Sequence, residues 1–518
     1  MPNNQAILPH NRATMHDAAL NTKDCARCDQ FATENGVSSQ SLMTKAATAV
    51  SDAIRQRWSP RQVRILCGPG NNGGDGFFAA ENLRKAGWPV RVALLGDPAG
   101  LRGDAAWAAG LWSGEIESAE PDFFDGADLV VDALFGAGLS RPLDGKAAQL
   151  VEAMARLSCP VVAVDLPSGL HGDAMGEGVF VPADLTVTFH QWKPAHLLEP
   201  SASACGEKRL ADIGIPDGWE RAVTPLARLN HPDLWWASLP AASSADHKHA
   251  RGRLVVFSGG ASATGAARLA ARTGLRSGAG LVTLATPPSA LLVQASTNEA
   301  VMVRRWPEAE AAGDLLQELR AHAAVIGPAL GLDGQSRTTV LSSSAAACAR
   351  VLDADALTDF ADAPERLFDT LTPRDVLTPH EGEFRRLFPD LDDGWGHKIA
   401  RVAAAAERAG CTILLKGADT VIAAPQRTPV INRHADPALA TAGSGDVLAG
   451  LIGGLLAQGV PAFEAACAAS WLHGDCGRHF GPGLIAEDLP EILPARWQAL
   501  QREQHRQAAL SHLLAHRS

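Results

Sequence analysis

Four clusters of carboxylates, amides and small residues stand directly after short apolar runs, where the ends of β-strands would gather them. Gly68-Pro69-Gly70-Asn71-Asn72-Gly73-Gly74-Asp75-Gly76 follows Val63–Cys67, and Asp132-Ala133-Leu134-Phe135-Gly136 closes a run that begins at Leu129. Asp165-Leu166-Pro167-Ser168-Gly169 follows Val161–Val164, and His190-Gln191-Trp192-Lys193 follows Leu185–Phe189. Ligands in open α/β sheets bind beyond the carboxyl ends of the strands, so all four clusters are expected to face one crevice. Gly68-x-Gly70-x-x-Gly73 has the form of a dinucleotide fingerprint, but Asp75 at the start of the following helix repels a bare diphosphate there. The partners expected for this loop are ribose hydroxyls, an amide or a cation; the plainer alternative is a tight turn capped by Asn and Asp. Asn72, Asp132 and Ser168 supply hard oxygen ligands from three strand ends, which suits an alkali or alkaline-earth cation better than zinc. Asp165 follows a buried strand, so desolvation is expected to raise its pKa and make it a proton acceptor, with capping of the next turn as the alternative.

A second constellation lies nearer the carboxyl end. Ala442-Gly443-Ser444-Gly445-Asp446 opens a helical run to Ala457. Free amides at the positive end of that helix form an anion hole, which stabilises a phosphoryl group in transfer; Asp446 stands beside it as the base for an attacking hydroxyl. An ordinary Gly-rich N-cap is the bland alternative. His380, in Thr378-Pro379-His380-Glu381-Gly382-Glu383, is a donor suited to an anionic or hydroxylated substrate, or else a satisfied structural histidine.

The elements that must position these residues alternate along the chain. Strands are expected at Val63–Cys67, Val90–Leu95, Leu129–Val131, Val161–Val164 and Leu185–Phe189, with helices between, which implies a parallel sheet covered on both faces. The rhythm lapses between about 215 and 251 and restarts at Arg253–Phe257, Leu281–Ala285, Ala324–Ile326, Val351–Leu352, Val376–Leu377, Thr412–Leu415 and Val421–Ala424. The expected organisation is therefore α/β in two domains, 1–215 and 251–500, joined by 216–250 and followed by a polar helical tail at 501–518. A length of 518 residues suits two such domains. The net charge of −11 argues against nucleic-acid or anionic-membrane binding. Nine scattered cysteines without a secretory segment read as reduced and cytoplasmic, and Cys25-x-x-Cys28 reads as chance spacing. The most apolar stretch, Val447 to Val460, is too short to span a membrane. A homo-oligomer is expected.

The first set of motifs, together with Thr186-Val187-Thr188-Phe189 and Lys193-Pro194-x-His196, resembles the NAD(P)H-hydrate epimerase domain over roughly 10–215. The resemblance implies a Rossmann-like fold, with hydrate contacts at Asn71, Asn72, Gly73, Gly74, Asp75, Asp165 and the run Gly136, Ala137, Gly138, Leu139, Ser140, Arg141, Pro142. It implies potassium at Asn72, Asp132 and Ser168, Asp165 as catalytic acid/base, and Lys193 as a second polar group. The second set, with Gly259-Gly260, Gly265-Ala266-Ala267, Gly327-Pro328-Ala329-Leu330-Gly331, Leu352-Asp353-Ala354-Asp355-Ala356-Leu357 and Lys416-Gly417-Ala418-Asp419-Thr420, resembles the ribokinase-like NAD(P)H-hydrate dehydratase domain over about 225–500. That resemblance implies hydrate contacts at Ala266, Gly331 or Gly327, His380 and Asp446. It places ADP or ATP at Lys416, Gly417, Ala418, Asp419, Thr420 and Gly445, with Mg²⁺ bridging the nucleotide oxygens. Ala435-Asp436-Pro437 departs from the common Gly-Asn-Pro, and the extra charge is expected to weaken nucleotide binding. Thr358 stands where Asn is usual.

Together the two halves imply a repair enzyme for NADH and NADPH hydrates. Hydroxide leaves poorly; phosphorylating it makes a good leaving group, and a chiral site that accepts one epimer needs an epimerase beside it. The runner-up is a ribokinase-like small-molecule kinase with a regulatory ligand-binding module in front.

Overall fold

The computed structural model describes residues 17–139, 141–173, 178–240, 248–306, 308–391 and 397–515. Ser140, one of the expected hydrate contacts, lies outside the described residues. The chain forms two compact units, Met1–Ala227 and Arg228–Ser518. The division falls inside the segment 216–250 that was expected to connect the domains, and the later part of that segment belongs to the second interior. There Asn230 Nδ2 donates to Cys467 O (2.7 Å), and the buried Trp235 indole N–H donates to Asn230 Oδ1 (3.0 Å).

The first unit is built on β1 (Val63–Cys67), β2 (Val90–Leu94), β3 (Ile116–Ser118), β4 (Leu129–Ala133), β5 (Val161–Val164), β6 (Leu185–Phe189) and β7 (Glu207–Ala211). All pair in parallel, in the order β3-β2-β1-β4-β5-β6-β7. β1, β4 and β5 are buried along their whole length because helices cover both faces, which explains why apolar residues dominate them rather than alternate, with Arg64 in β1 and Asp132 in β4 as the charged exceptions. Helices Ser39–Arg57 and Asn71–Lys85 bring Ala47, Val50, Ile54, Phe77 and Leu83 against one face; Gly145–Ala155 brings Leu150, Val151 and Met154 against the other. The strand order reverses between β1 and β4, so the loops after these two strands open a crevice at their carboxyl ends.

The second unit repeats that order with its own strands: β8 (Arg253–Phe257), β9 (Leu281–Thr286), β10 (Met302–Arg305), β11 (Ala323–Ile326), β12 (Ala349–Leu352), β13 (Val376–Leu377), β14 (Thr412–Leu415), β15 (Thr420–Ala423) and β16 (Val430–Asn432). They run β10-β9-β8-β11-β12-β13-β14-β15-β16, parallel as far as β14 and antiparallel from β14 to β16. Helix Ser444–Ala457 is buried along almost its whole length against helix Gly265–Arg276. A β-carbon at Gly450 would lie 2.2 Å from Ala270 O, so glycine is what allows the two backbones to meet and fixes where the amino end of Ser444–Ala457 points. The expected polar tail continues a single helix, Asp488–Ala515. Among the described residues no helix is long and apolar enough to cross a membrane.

The carboxyl ends of β12 and β13 are held level by a buried ion pair at the opposite end of the sheet. Arg350 Nε and Nη2 donate to the Asp375 carboxylate (3.1 and 2.8 Å), and both side chains are almost wholly excluded from solvent. Asp375 also accepts from the backbone amides of Arg350 and Thr372. Breaking a buried pair leaves an uncompensated charge, so Asp375→Asn is expected to lower the unfolding free energy of the second unit by about 3 kcal/mol, measured by urea denaturation.

Candidate active sites

In the first unit a cavity of about 830 Å³ opens at the carboxyl ends of the strands, within the range of small-molecule sites. Asn71, Asn72, Asp75, Gly136, Ala137, Gly138, Leu139, Arg141, Asp165 and Lys193 all line it. Asp165 is its electrostatic centre. Its Oδ1 accepts from Lys193 Nζ (2.8 Å) and Thr188 Oγ1 (2.9 Å), and its Oδ2 accepts from the Ala137 amide (2.9 Å). The Asp165 backbone stands at φ 63°, an uncommon conformation for a residue with a side chain, and His196 helps to hold it there. His196 Nδ1 accepts from the Lys193 amide (3.1 Å), which leaves Nε2–H to donate to Asp165 O (2.7 Å). Burial and the Lys193 ammonium hold His196 neutral, with its pKa pushed down to about 4.

The expectation that desolvation raises the Asp165 pKa is corrected by this geometry. Burial does push it up, but the Lys193 charge and the hydrogen bonds from Lys193 and Ala137 outweigh it and hold the carboxyl at about 2. Asp75 moves the other way. It is fully desolvated within the same wall, faces Asp165 and Asp29, and is pushed well above the ordinary carboxylate range. Gly136 sits between two functional side chains: a β-carbon there would fall 2.9 Å from Asp165 Oδ2 and 3.0 Å from Asn72 Oδ1.

Other expected residues lie behind the wall. Ser168 Oγ and N–H donate to Asp132 Oδ1 (2.6 Å) and Oδ2 (2.7 Å), and Asp132 is completely buried. It forms no ion pair among the described residues, and burial pushes its pKa up to about 6 against the pull of Ser168. A desolvated carboxylate without a cationic partner fits a bound monovalent cation, and the hard oxygens of Asn72 and Ser168 are of the right chemistry. Gly73 and Gly74 do not line the cavity. A β-carbon at Gly73 would meet Gly68 O at 1.8 Å and one at Gly74 would meet the Met43 methyl at 2.7 Å, so both are small because the helix start packs closely there. Pro142 is exposed outside the lining residues. The sequence reading missed the helix Thr22–Glu34, which puts Cys25, Asp29 and Gln30 on the cavity. Asp173 tethers its start by accepting from Thr22 N and Oγ1 (2.7 Å each). Burial pushes Asp29 up to about 6.

In the second unit Gly443, at φ 87°, turns the chain into helix Ser444–Ala457, whose N-cap makes no side-chain hydrogen bond. The Ser444 amide donates to Thr441 O (3.3 Å), and no side chain caps the amides that follow it, as an anion hole requires. Asp446 stands at the third helical position, and burial, with help from Asp353 and against Lys416, pushes its pKa up to about 6. Lys416 Nζ donates to Asp353 Oδ1 (2.7 Å), Asp419 Oδ1 accepts from Lys398 Nζ (2.7 Å), and Thr420 Oγ1 donates to Gly417 O (2.8 Å). Gly417 and Ala418 are exposed. The Gly331 amide donates to Asp355 Oδ2 (2.8 Å), Gly327 packs on the Asp353 carbonyl, and Ala266 is half-buried at the start of helix Gly265–Arg276. His380 has the structural role that was weighed for it. Its Nδ1 accepts from the Gly382 and Glu383 amides (3.0 and 3.3 Å) as a helix cap, while the side chain remains about half exposed. Asp436 caps the turn Pro437–Leu439 by accepting from the Ala438 amide (2.9 Å), a role in which Asp serves as well as Asn.

Residues 254–493 match the NAD(P)H-hydrate dehydratase family, and residues 39–195 match the YjeF-related protein N-terminus family. The bifunctional NAD(P)H-hydrate repair enzyme Nnr of Moorella thermoacetica is 35% identical over 494 residues, covering 89% of this chain and 93% of that protein. The chain belongs to the bifunctional NAD(P)H-hydrate repair enzyme family. The family's Gloeobacter violaceus member is 38% identical over 478 residues, 88% of this chain and 92% of that protein. Among solved structures, the ADP/ATP-dependent NAD(P)H-hydrate dehydratase of Bacillus subtilis co-crystallised with ATP/Mg²⁺ is 27% identical and covers 52% of this chain and 98% of its own, with a TM-score of 0.44. The two family matches fall on the two units, each of which carries its own site.

Gly136 has a backbone conformation open to any residue, so Gly136→Ala acts through space alone. Its methyl group is expected to separate Asn72 from Asp165 and cut turnover at the first site by about a hundredfold, with the melting temperature of the unit little changed.

Proposed function

We propose that the first unit interconverts the R and S epimers of NADH and NADPH hydrate and that the second unit dehydrates the S epimer at the expense of ADP or ATP. The observation that carries the first half is the meeting in one cavity of Asp165, held by Lys193 and Thr188, with the buried Asp75, two carboxylates whose surroundings push their pKa values in opposite directions. Such a split assigns the base to the group held low and the acid to the group held high. The hydrate bears its hydroxyl on the carbon beside the ring nitrogen. Asp165 takes the hydroxyl proton as the carbon–nitrogen bond opens, Asp75 protonates the nitrogen, and rotation followed by the reverse steps closes the ring on the other face. Lys193 and Thr188 keep Asp165 aimed, and Asn72, Asp132 and Ser168 would hold a potassium ion that orders the loops around the ligand. Asn71, Gly136 to Leu139 and Arg141 bind the rest of the dinucleotide.

In the second unit Asp446 accepts the proton of the hydrate hydroxyl as its oxygen bonds to the terminal phosphorus of the nucleotide, whose bridging bond breaks. The amides at Gly443–Gly445 hold the phosphoryl group in flight. Phosphate then departs, pushed by the ring nitrogen, and loss of a proton from the neighbouring carbon restores the ring double bond. Lys416 to Thr420 hold the nucleotide, His380, Gly331 and Ala266 the hydrate, and Mg²⁺ would neutralise the phosphate charge. The assembly is proposed to be a cytoplasmic homo-oligomer with no nucleic-acid partner.

Incubating mixed hydrates with ADP or ATP and following the absorbance of reduced nicotinamide tests both halves. Asp165→Asn should stop recovery after the S epimer is consumed, while Asp446→Ala should slow all recovery by about 10²–10⁴-fold. Stable accumulation of a phosphorylated product with no reduced nicotinamide would favour a small-molecule kinase instead.

Because Asp446 must be ionised to take the proton, dehydration should fall as pH drops through about 6. Asp446→Asn should flatten that acid limb in a kcat/KM profile.

A further inference from the structure

The anion hole and its base leave one buried carboxylate of the second site unexplained. Asp353 ends β12 with 2% of its surface exposed, and its Oδ1 accepts from Lys416 Nζ at 2.7 Å. A β-carbon placed on Gly445 would lie 3.9 Å from Asp353 Oδ2 and 3.7 Å from Lys416 Nζ, so the pair flanks the first amides of helix Ser444–Ala457 with no side chain between. The loop that presents Asp353 is fixed. Ala354 is held at φ 51°, ψ −118°, a conformation that persists only where surroundings over-determine it, and a β-carbon on Gly327 would meet Asp353 O at 1.8 Å.

A lysine on its four-carbon stem has many ways to point, and a buried partner removes most of them. Resting on the dehydratase reading, we infer that Asp353 is a positioning residue of phosphoryl transfer, clamping Lys416 so that its ammonium meets the transferred group over Gly443–Gly445 while Asp446 remains a competent base. Lys416 and Asp353 exchange no atoms in the step: the new P–O bond forms at the hydroxyl oxygen, the nucleotide's P–O bond breaks, and the proton goes to Asp446. The charged groups around the clamp are Asp446, Glu383 with His380 beside it, and the Lys398–Asp419 pair on the loop after Lys416. Asp353 and Lys416 act on Asp446 with opposite sign, so removing the carboxylate leaves the lysine unopposed and makes Asp446 a weaker base.

The experiment compares Asp353→Asn, Asp353→Glu, Lys416→Met and the double variant Asp353→Asn/Lys416→Met in the full chain, with S hydrate and ADP or ATP. Asp353→Asn should lower kcat by about tenfold or more, leave the nucleotide KM within about threefold, and move the acid limb of the kcat profile to lower pH. Asp353→Glu should regain part of kcat, and it carries the comparison with wild type if the Asn variant does not fold. In the Lys416→Met background, Asp353→Asn should cost nothing further. The inference is overturned if Asp353→Asn keeps kcat within about twofold, if the two single losses multiply in the double variant, or if Asp353→Glu is no better than Asn. Active wild type with an unaffected Asp353→Asn defeats this inference alone; inactive wild type defeats the dehydratase reading and this inference with it.

Discussion

A carboxylate buried at the carboxyl end of the fifth strand, tied to a lysine that arrives from a later strand, organises each site of this protein. In the first unit the pair is Asp165 and Lys193, after β5 and β6; in the second it is Asp353 and Lys416, after β12 and β14. A lone charge in either place would be driven to neutrality by desolvation. Paired, it stays, and its partner is fixed in direction. Removing the lysine therefore does more than delete a contact, because the remaining carboxylate must either take up a proton or find another cation.

The common geometry follows from a common strand order. Both sheets run third, second, first, fourth, fifth, sixth, seventh, so in both the crevice opens between the first and fourth strands and the later strand ends form one rim. The chemistry then diverges by loop. The first unit follows its first strand with a helix whose opening residues carry Asn71, Asn72 and Asp75, on the same cavity as Asp165 and Lys193. The second directs the amino end of a buried helix without a side-chain cap into the rim. The two candidate sites thus share an architecture without sharing motifs, which is why no repeat is visible in the sequence.

Much of this was legible beforehand because strands buried on both faces are written as short runs dominated by apolar and β-branched residues. Val63–Cys67, Val161–Val164, Leu185–Phe189 and Arg253–Phe257 were placed to the residue. The strands that escaped notice were the short or marginal ones: Ala18–Ala19, Ile116–Ser118, Glu207–Ala211, Ala227–Leu229, Met302–Arg305 and Val430–Asn432. Glu207-Lys208-Arg209-Leu210-Ala211 lies at a sheet edge with none of its residues fully buried, so composition leaves no trace of it. The helix Thr22–Glu34 was missed for a related reason. Only Cys28 and Ala32 of it are buried, and what it offers the cavity is polar.

By itself the sequence determined that carboxylates, amides and glycines of suitable type stand at strand ends, because residue type and the apolar runs before them are local properties. The sign of the Asp165 shift was decided only by tertiary structure. Lys193 is 28 residues away along the chain, and no local pattern says that its ammonium comes within 2.8 Å of that carboxylate and outweighs burial. The same holds for Asp353 and Lys416, 63 residues apart, and for the withdrawal of Gly73 and Gly74 from the cavity into packing. Electrostatic balance and close approach depend on distances across the fold, which sequence spacing does not contain.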